Sequence, residues 1–262
     1  MKNRILKIMM IAVTMGAMTA GSIVSVPAAE ETTEAQADDS DAELRSQLYG
    51  VWPVNLVSYM YMPDGQILDD KGNYLCDYKI NGDKIVWDLT NASEDFVGNV
   101  KDPEVEIQLL PMDTSKLPKG HENTDYFYAG DNDKMMEIKI SQTDDSDPMN
   151  PKTAEDIRYS VKSIMDQGSY GKALFYGYTW QTGAGSLSID KNGDMSLNDG
   201  EQTGNLSIDN LNDYTHVSFD WDGKGITQYE ITELDADKIV LAKTEDPSQT
   251  ITLTDKVKLE DE

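Results

Sequence analysis

The sequence predicts an all-β protein made of two tandem antiparallel barrel or sandwich modules with one short helix between them. Residues 228–243, QYEITELDADKIVLAK, form two apolar-alternating runs around an Asp-rich turn, a pattern typical of a β-hairpin with one wet and one buried face. A looser copy of this pattern occurs earlier, at 105–110 and 133–139. Tight Asn-Gly turns at 81–82 and 192–193 indicate that many short antiparallel strands follow one another.

The first 28 residues have the pattern of a secretory signal peptide. Lys2, Arg4 and Lys7 precede a mostly apolar run from Ile8 to Val24, and small residues follow near Ala28. A retained membrane anchor is the alternative interpretation of this run. We expect cleavage and a freely secreted, extracellular product.

An acidic linker is predicted at 29–46, because its stretch 30–43 has no large apolar residue, so we expect it to be disordered. Three of the 22 basic residues and none of the 48 acidic ones lie in the predicted leader, which gives the mature chain a formal charge of −29. Such a charge repels phosphate backbones and anionic membranes, so we expect no nucleic-acid partner and no membrane binding after cleavage.

Four landmarks recur in the same order and divide the rest of the chain into module 1 (47–141) and module 2 (170–258). They are Tyr-Gly followed by a Trp (Trp52 and Trp180), Trp-Asp (87–88 and 221–222), Glu-Ile-x-x-Leu (106–110 and 230–234) and Asp-Lys before apolar residues (133–134 and 237–238). An ordered set of this kind predicts a tandem repeat. Limited proteolysis is then expected to cut between two separately cooperative units, near 141–152.

Between the modules, residues 142–169 read as an acidic linker followed by a helix. Thr153 can cap the helix, and Gly168 can end it. The apolar residues Ile157, Val161 and Ile164 follow helical spacing. Module 2 then closes with the alternating run at 249–258.

These landmarks resemble small bacterial lipocalin-like domains, members of the calycin group of antiparallel β-barrels. The resemblance rests on Gly50-x-Trp52, on Gly177-x-x-Trp180 and on the hairpin at 229–243. It implies that Trp52 and Trp180 each plug one barrel end, and that the other end can hold a small apolar ligand without a cofactor. In that family an Arg stacks on the plugging Trp; here the mature chain has only Arg45 and Arg158, and neither follows a closing strand.

The run at 54–61, VNLVSYMY, is the candidate for ligand binding, with Tyr59, Met60 and Tyr61 as its predicted contacts. It is apolar on both faces, so a strand covered on both sides by the protein's own core is the alternative.

A second candidate site has the spacing of a calcium loop. Residues 190–201 place Asp190, Asn192, Asp194 and Glu201 at ligand positions, but the sixth position is Met195 where such loops need Gly. The same residues fit a β-hairpin turn, and we expect that turn and no tight calcium.

The remaining reactive side chains indicate no catalytic centre. Cys76 is the only cysteine and lies in an alternating run, which favours a buried small hydrophobe. His121 and His216 have no identifiable partners for a zinc site or a triad. We therefore expect a secreted, non-enzymatic protein that binds a small apolar molecule; an extracellular adhesin or protein-interaction module and a secreted hydrolase are the alternatives.

Overall fold

The computed structural model describes residues 42–54, 57–92, 96, 101–117, 134–144, 152–163, 167–208 and 216–259. The predicted signal peptide, most of the acidic linker and His121 lie outside these residues.

The described residues include two α-helices, three short 3-10 helices and sixteen β-strands. The helices are α1 (42–48) and α2 (Gln167–Phe175), and the 3-10 helices are Leu89–Asn91, Thr114–Lys116 and Asn198–Gly200. The first eight strands are β1 (Gly50–Val54), β2 (Val57–Tyr61), β3 (Gln66–Leu68), β4 (Tyr74–Asn81), β5 (Lys84–Asp88), β6 (Lys101–Pro111), β7 (Lys134–Asp144) and β8 (Lys152–Ser160). The second eight are β9 (Tyr178–Thr182), β10 (Gly185–Ile189), β11 (Asp194–Leu197), β12 (Gln202–Ile208), β13 (His216–Trp221), β14 (Gly225–Leu234), β15 (Lys238–Lys243) and β16 (Asp246–Lys258).

The strands form two antiparallel sheets of eight, each in sequence order. Strands β1 to β8 form an open half-barrel, hereafter sheet 1. Strands β9 to β16 close on themselves, because β9 pairs with both β10 and β16, and are hereafter the barrel. The predicted all-β architecture of two tandem modules with one helix between them is thus confirmed.

The hairpin predicted at 228–243 is confirmed as the pair β14 and β15. Its register joins Tyr229 to Lys243 and Leu234 to Ile239. Ile239 and Leu241 point into the barrel and are buried, whereas the opposite face is wet. The alternation of the sequence therefore sets which face of the hairpin is buried.

The helix predicted after Thr153 is wrong. Residues 152–160 form β8, which pairs with β7 over nine residues from Met136–Ser160 to Asp144–Lys152. Sheet 1 therefore continues past the boundary predicted at 141, and both ends of the proposed cleavage segment, 141–144 and 152, belong to the paired strands β7 and β8. The α-helix that does separate the sheets is α2, which begins where the predicted helix was expected to end.

The end of the predicted linker is also helical rather than disordered. Residues 42–46 belong to α1, and the amide of Tyr49 donates to the carbonyl of Arg45 at 3.0 Å. Leu44 packs against the apolar interior of sheet 1. This apolar contact gives α1 the tertiary support that a helix of about two turns requires.

One hydrophobic core lies inside sheet 1 and a second fills the barrel. The first includes Trp52, Tyr61 and Trp87. The second contains the inward residues of the barrel, the helix residues Tyr170, Leu174 and Phe175, and residues from the outer side of β1 to β3: Tyr49, Val51, Met60, Met62 and Leu68. Helix α2 and the outer side of sheet 1 thus share one apolar core with the barrel.

Polar contacts join the two sheets at the same place. The hydroxyl of Tyr170 donates to the carbonyl of Tyr61 at 3.0 Å. The ammonium group of Lys256 lies 3.1 Å from a carboxylate oxygen of Asp64. Gly171 has no side chain where a Cβ would lie 2.7 Å from Cγ2 of Ile208, so glycine permits the close approach of α2 to the barrel.

The four sequence landmarks fall on corresponding strands of the two sheets. The Trp of the first landmark lies on the first strand of each sheet, Trp-Asp ends the fifth, Glu-Ile-x-x-Leu lies on the sixth, and the Lys of Asp-Lys begins the seventh. In each sheet the first strand also follows directly after a short helix.

Candidate functional site

The two ends of the barrel differ. Helix α2 leads into the start of β9, and its residues Leu174 and Phe175 are buried in the core at that end. The opposite end carries the turns at 182–185, 198–201, 222–225 and 244–246, hereafter the rim. Helix α2 therefore covers one barrel end, and the rim lies at the other.

A pocket of about 380 Å³ lies at the rim end. It is lined by Thr182, Gly183, Ala184, Leu187, Leu197, Phe219, Trp221, Thr250, Ile251 and Thr252. The volume falls within the usual range for small-molecule sites, and an apolar lining with a few hydroxyl groups is typical of them. None of the lining residues carries a charge.

The residues that line the pocket differ in their exposure. Leu187 and Phe219 are buried, whereas Leu197, Trp221 and Ile251 remain partly exposed. The rings of Phe219 and Trp221 lie 6.0 Å apart in an edge-to-face arrangement, which holds both in fixed positions.

The turn beside the pocket is held by its own hydrogen bonds. The hydroxyl of Thr182 donates to the carbonyl of Gly185 at 2.8 Å and accepts from the amide of Ala184 at 3.1 Å. Gly185 has a φ of 127°, a backbone conformation that favours glycine. This part of the rim is therefore preformed.

Each sheet has a buried Trp on its first strand with a lysine over its ring. Trp52 and Trp180 are 1% and 2% exposed. The ammonium group of Lys162, just after β8, lies 5.6 Å from the Trp52 ring, and that of Lys256, in β16, lies 5.8 Å from the Trp180 ring. In both sheets the cation over the first-strand Trp is therefore a lysine and not an arginine.

The surroundings of the two lysines differ. Lys256 also lies 4.0 Å from the Tyr178 ring centroid and is paired with Asp64. Burial of Lys162 lowers its pKa from 10.5 to about 8. Sequence reasoning missed both lysines, although each lies at the end of a final strand or just after it.

The predicted ligand contacts on β2 are mostly buried. Tyr61 and Met60 are 0% exposed. The Tyr61 ring lies in the core of sheet 1, where its hydroxyl accepts from the indole N–H of Trp87 at 3.0 Å, and burial raises its pKa. Met60 faces the core shared with the barrel.

Tyr59 is the one partly exposed member of the three. It packs edge-on against Trp87 at 5.1 Å and Phe96 at 6.4 Å. The end of β2 at Met60 and Tyr61 is thus covered on both sides, as the alternative interpretation stated, whereas Val57 at its start is exposed. Binding by this strand stays a prediction, and of its three predicted contacts only Tyr59 is partly exposed.

The proposed calcium residues form a hairpin turn. One carboxylate oxygen of Asp190 accepts from the amides of Asn192 at 2.7 Å and Asp194 at 2.9 Å. Burial opposes ionisation of Asp190, but these hydrogen bonds outweigh it and lower its pKa. Glu201 lies beyond the far end of β11, where its carboxylate accepts from the Asn198 amide at 3.0 Å.

The structure therefore does not bring Asp190, Asn192, Asp194 and Glu201 together. In the described part of the chain, no group of three or more His, Cys, Asp or Glu residues is arranged to hold a metal ion.

Burial and local hydrogen bonds account for the displaced pKa values of Cys76 and of several aspartates. Cys76 is buried, as predicted, and burial raises its pKa to about 12. Among the described carboxyl groups with displaced pKa values, the displacement is downward. At Asp88 the cause is mainly the Lys79 ammonium group, 2.6 Å away. A general acid needs a raised pKa, so these five carboxyl groups are not suited to that role.

No described helix has both the length and the apolar character needed to cross a bilayer. Comparisons of the chain with protein-family models, with curated proteins and with solved structures found no match.

Proposed function

We propose that this chain is a secreted, non-enzymatic binding protein that holds a small apolar ligand in the rim-end pocket of its barrel. The observation that carries the proposal is the pocket itself, which combines a volume of about 380 Å³ with an apolar floor and an uncharged lining. The opposite barrel end is occupied by α2, whose Leu174 and Phe175 are buried in the barrel core. Ligand access is therefore proposed from the rim.

Two features support a lipocalin-like, calycin assignment and a tandem repeat. Each sheet has eight antiparallel strands in sequence order. Each also has a Trp on its first strand beneath a cation from its last strand or the residues just after it. The landmarks on corresponding strands favour duplication of one ancestral module over coincidence.

The surface supports ligand binding more than adhesion. The exposed large apolar residues of the described chain are Val57, Tyr74, Ile157, Ile226 and Val257. They belong to five different strands. Scattered apolar residues are ordinary on soluble proteins, whereas an adhesive surface needs a contiguous patch.

Binding of an uncharged apolar dye tests the proposal. N-phenyl-1-naphthylamine should bind the intact protein and become fluorescent, because the pocket excludes water from it. Leu197→Lys places an ammonium group in the pocket wall and should weaken dye binding at least about tenfold, since an unpaired charge is costly to desolvate. Ser207→Lys is the matched control, because Ser207 is exposed on β12.

A second variant separates pocket blocking from loss of folding. Leu197→Trp fills the pocket without adding charge and should also abolish dye binding while circular dichroism and the Tm show a folded protein. Equal dye binding by wild type and Leu197→Trp would place the ligand elsewhere and refute the proposal. Native mass spectrometry of the purified protein would then show whether any apolar molecule co-purifies.

A further inference from the structure

We propose that the rim-end pocket selects amphiphiles by the charge of the head group, binding a cationic head most tightly, a neutral head less tightly and an anionic head least. The inference rests on the proposed function and extends it from an apolar ligand to a class of ligand. It concerns the part of the ligand that stays at the rim while its apolar tail enters the pocket.

The lining offers an anionic head group no partner. A bound carboxylate requires a cation or several N–H donors to replace its water. The lining residues are apolar, glycine or threonine, without a lysine or arginine. One of the threonine hydroxyls, that of Thr182, already serves the turn beside the pocket.

The rim around the pocket is acidic. Its four turns carry five carboxylates, those of Asp199, Glu201, Asp222, Glu245 and Asp246. Two ammonium groups oppose them: Lys224 in a turn and Lys243 at the end of β15, in register with Asp246. Asp222 directly follows Trp221, and Asp199 lies two residues after Leu197, so both belong to rim turns that adjoin lining residues in the chain. The Asp222 carboxylate accepts from the hydroxyl of Thr203 at 2.5 Å. The amine of Lys224 is held by the side chain of Gln202.

The indole of Trp221 adds a second attraction for a cation. It is partly exposed at the pocket, and the face of an indole ring attracts ammonium groups. The acidic turns and the ring face act in the same direction, because both lower the energy of positive charge and raise that of negative charge.

A matched ligand series tests this inference by displacement of the neutral dye. Decyltrimethylammonium, decan-1-ol and decanoate have ten-carbon chains and differ chiefly in head group. At low salt we expect the cation to displace the dye at concentrations about tenfold lower than the carboxylate, with the alcohol between them. In 0.5 M salt the difference should shrink to less than about threefold, because exposed charges are screened.

Rim variants identify the source of the selectivity. Asp199→Asn with Glu245→Gln removes two rim charges, and Asn tolerates the positive φ of 56° at position 199. This pair should reduce the preference for the cation to about threefold. The control pair Asp70→Asn with Asp83→Asn changes net charge equally in exposed turns of sheet 1 and should leave the preference unchanged.

The outcomes distinguish the two proposals. If the dye binds and decanoate displaces it as well as the cation does, the charge selectivity is wrong and the apolar pocket stands. If the control pair reduces the preference as much as the rim pair does, the selectivity comes from overall charge and the rim assignment fails. If the dye does not bind at all, the proposed function fails, and the selectivity fails with it.

Discussion

The two Trp–Lys pairs have similar geometry, but within the described chain the charge of only one of the two lysines is paired with a carboxylate. Lys256 forms an ion pair with Asp64 and lies over two aromatic rings. Lys162 lies over Trp52, and burial shifts its pKa downward. Since burial disfavours the charged amine, Lys162 should lower stability at neutral pH while it contributes packing through its methylene groups.

The contribution of Lys162 to stability should therefore rise between pH 7.5 and 9.5, while Cys76, whose pKa is raised to about 12 from 9.0, acts in the opposite direction in the same window. The folded-state pKa of Lys162 is about 8 and its unfolded value is 10.5. Above pH 8 this amine is more protonated in the unfolded state than in the folded state, so its contribution to the free energy of unfolding increases with pH. Linkage for a shift of this size gives an increase of about 1–2 kcal/mol over this window.

Lys162→Met should remove most of this increase, because Met fills similar space without a titrating group. Urea unfolding at pH 7.5 and 9.5 measures the difference. Cys76 and the buried tyrosines act in the opposite direction through their raised pKa values, but both proteins contain them, so their effect cancels in the difference between wild type and variant. An equal pH slope in wild type and variant would show that Lys162 is not the responsible group.

Among the secondary-structure elements, the hairpin of β10 and β11 is the clearest case of sequence chemistry that fits two structures. Its turn uses Asp190 as an acceptor for two backbone amides. The backbone bonds between Asp190 and Asp194 and between Gly193 and Asp190 complete the turn. The oxygen atoms that a calcium loop would supply thus serve the hairpin.

We expect calcium to leave the protein's stability unchanged. Addition of calcium chloride to 1 mM should not shift the Tm, whereas Asp190→Ala should lower the free energy of unfolding by about 1–3 kcal/mol through loss of its hydrogen bonds. Asp190→Asn keeps an acceptor and should lose less. A saturable micromolar calcium site that disappears in Asp190→Ala would contradict this interpretation.

Sequence patterns predicted some elements well and one poorly. The β14–β15 hairpin was predictable because its alternation and its turn agree. At 153–161 the apolar residues Ile157 and Val161 fit both a helix, four residues apart, and a strand, with Tyr159 between them. Residues 152–160 form a strand because they pair with β7. The short sequence at 153–161 does not by itself indicate this pairing.

The pocket and the shared core were less predictable than the strands. Trp221 and Leu197 were visible as apolar residues of predicted strands, but only barrel closure brings them to one pocket. Met60 and Met62 were visible as apolar, but their partners lie more than a hundred residues away on α2 and the barrel. Such contacts depend on topology, which no short stretch of sequence specifies.

At the scale of the whole molecule, the two sheets form a continuous apolar structure. Residues from the outer side of β1 to β3 belong to the same buried cluster as the barrel interior, and α2 lies in that cluster. Separation would expose this surface to water at a cost of about 25 cal/mol per Å² of apolar area. The sheets should therefore stabilise each other, in contrast to the two separately cooperative units expected from the sequence.

We expect one cooperative unfolding transition for residues 42–259. Differential scanning calorimetry should show a single peak whose calorimetric and van't Hoff enthalpies agree. Tyr170→Phe removes the bond to the Tyr61 carbonyl and should lower this one Tm without splitting the peak. Two resolved peaks in the wild type would show that the shared core does not couple the sheets.

Closure of the barrel has a consequence for the order in which the chain can fold during synthesis. Each strand of sheet 1 pairs with the strand made just before it, so that sheet can grow as the chain emerges. Strand β9, by contrast, must wait for β16, which is made more than sixty residues later. Until then β9 and the newest strand present unpaired backbone edges to which other chains can add. The open sheet 1 has edge strands as well, but only in the barrel does completion of the chain remove them, when β16 pairs with β9.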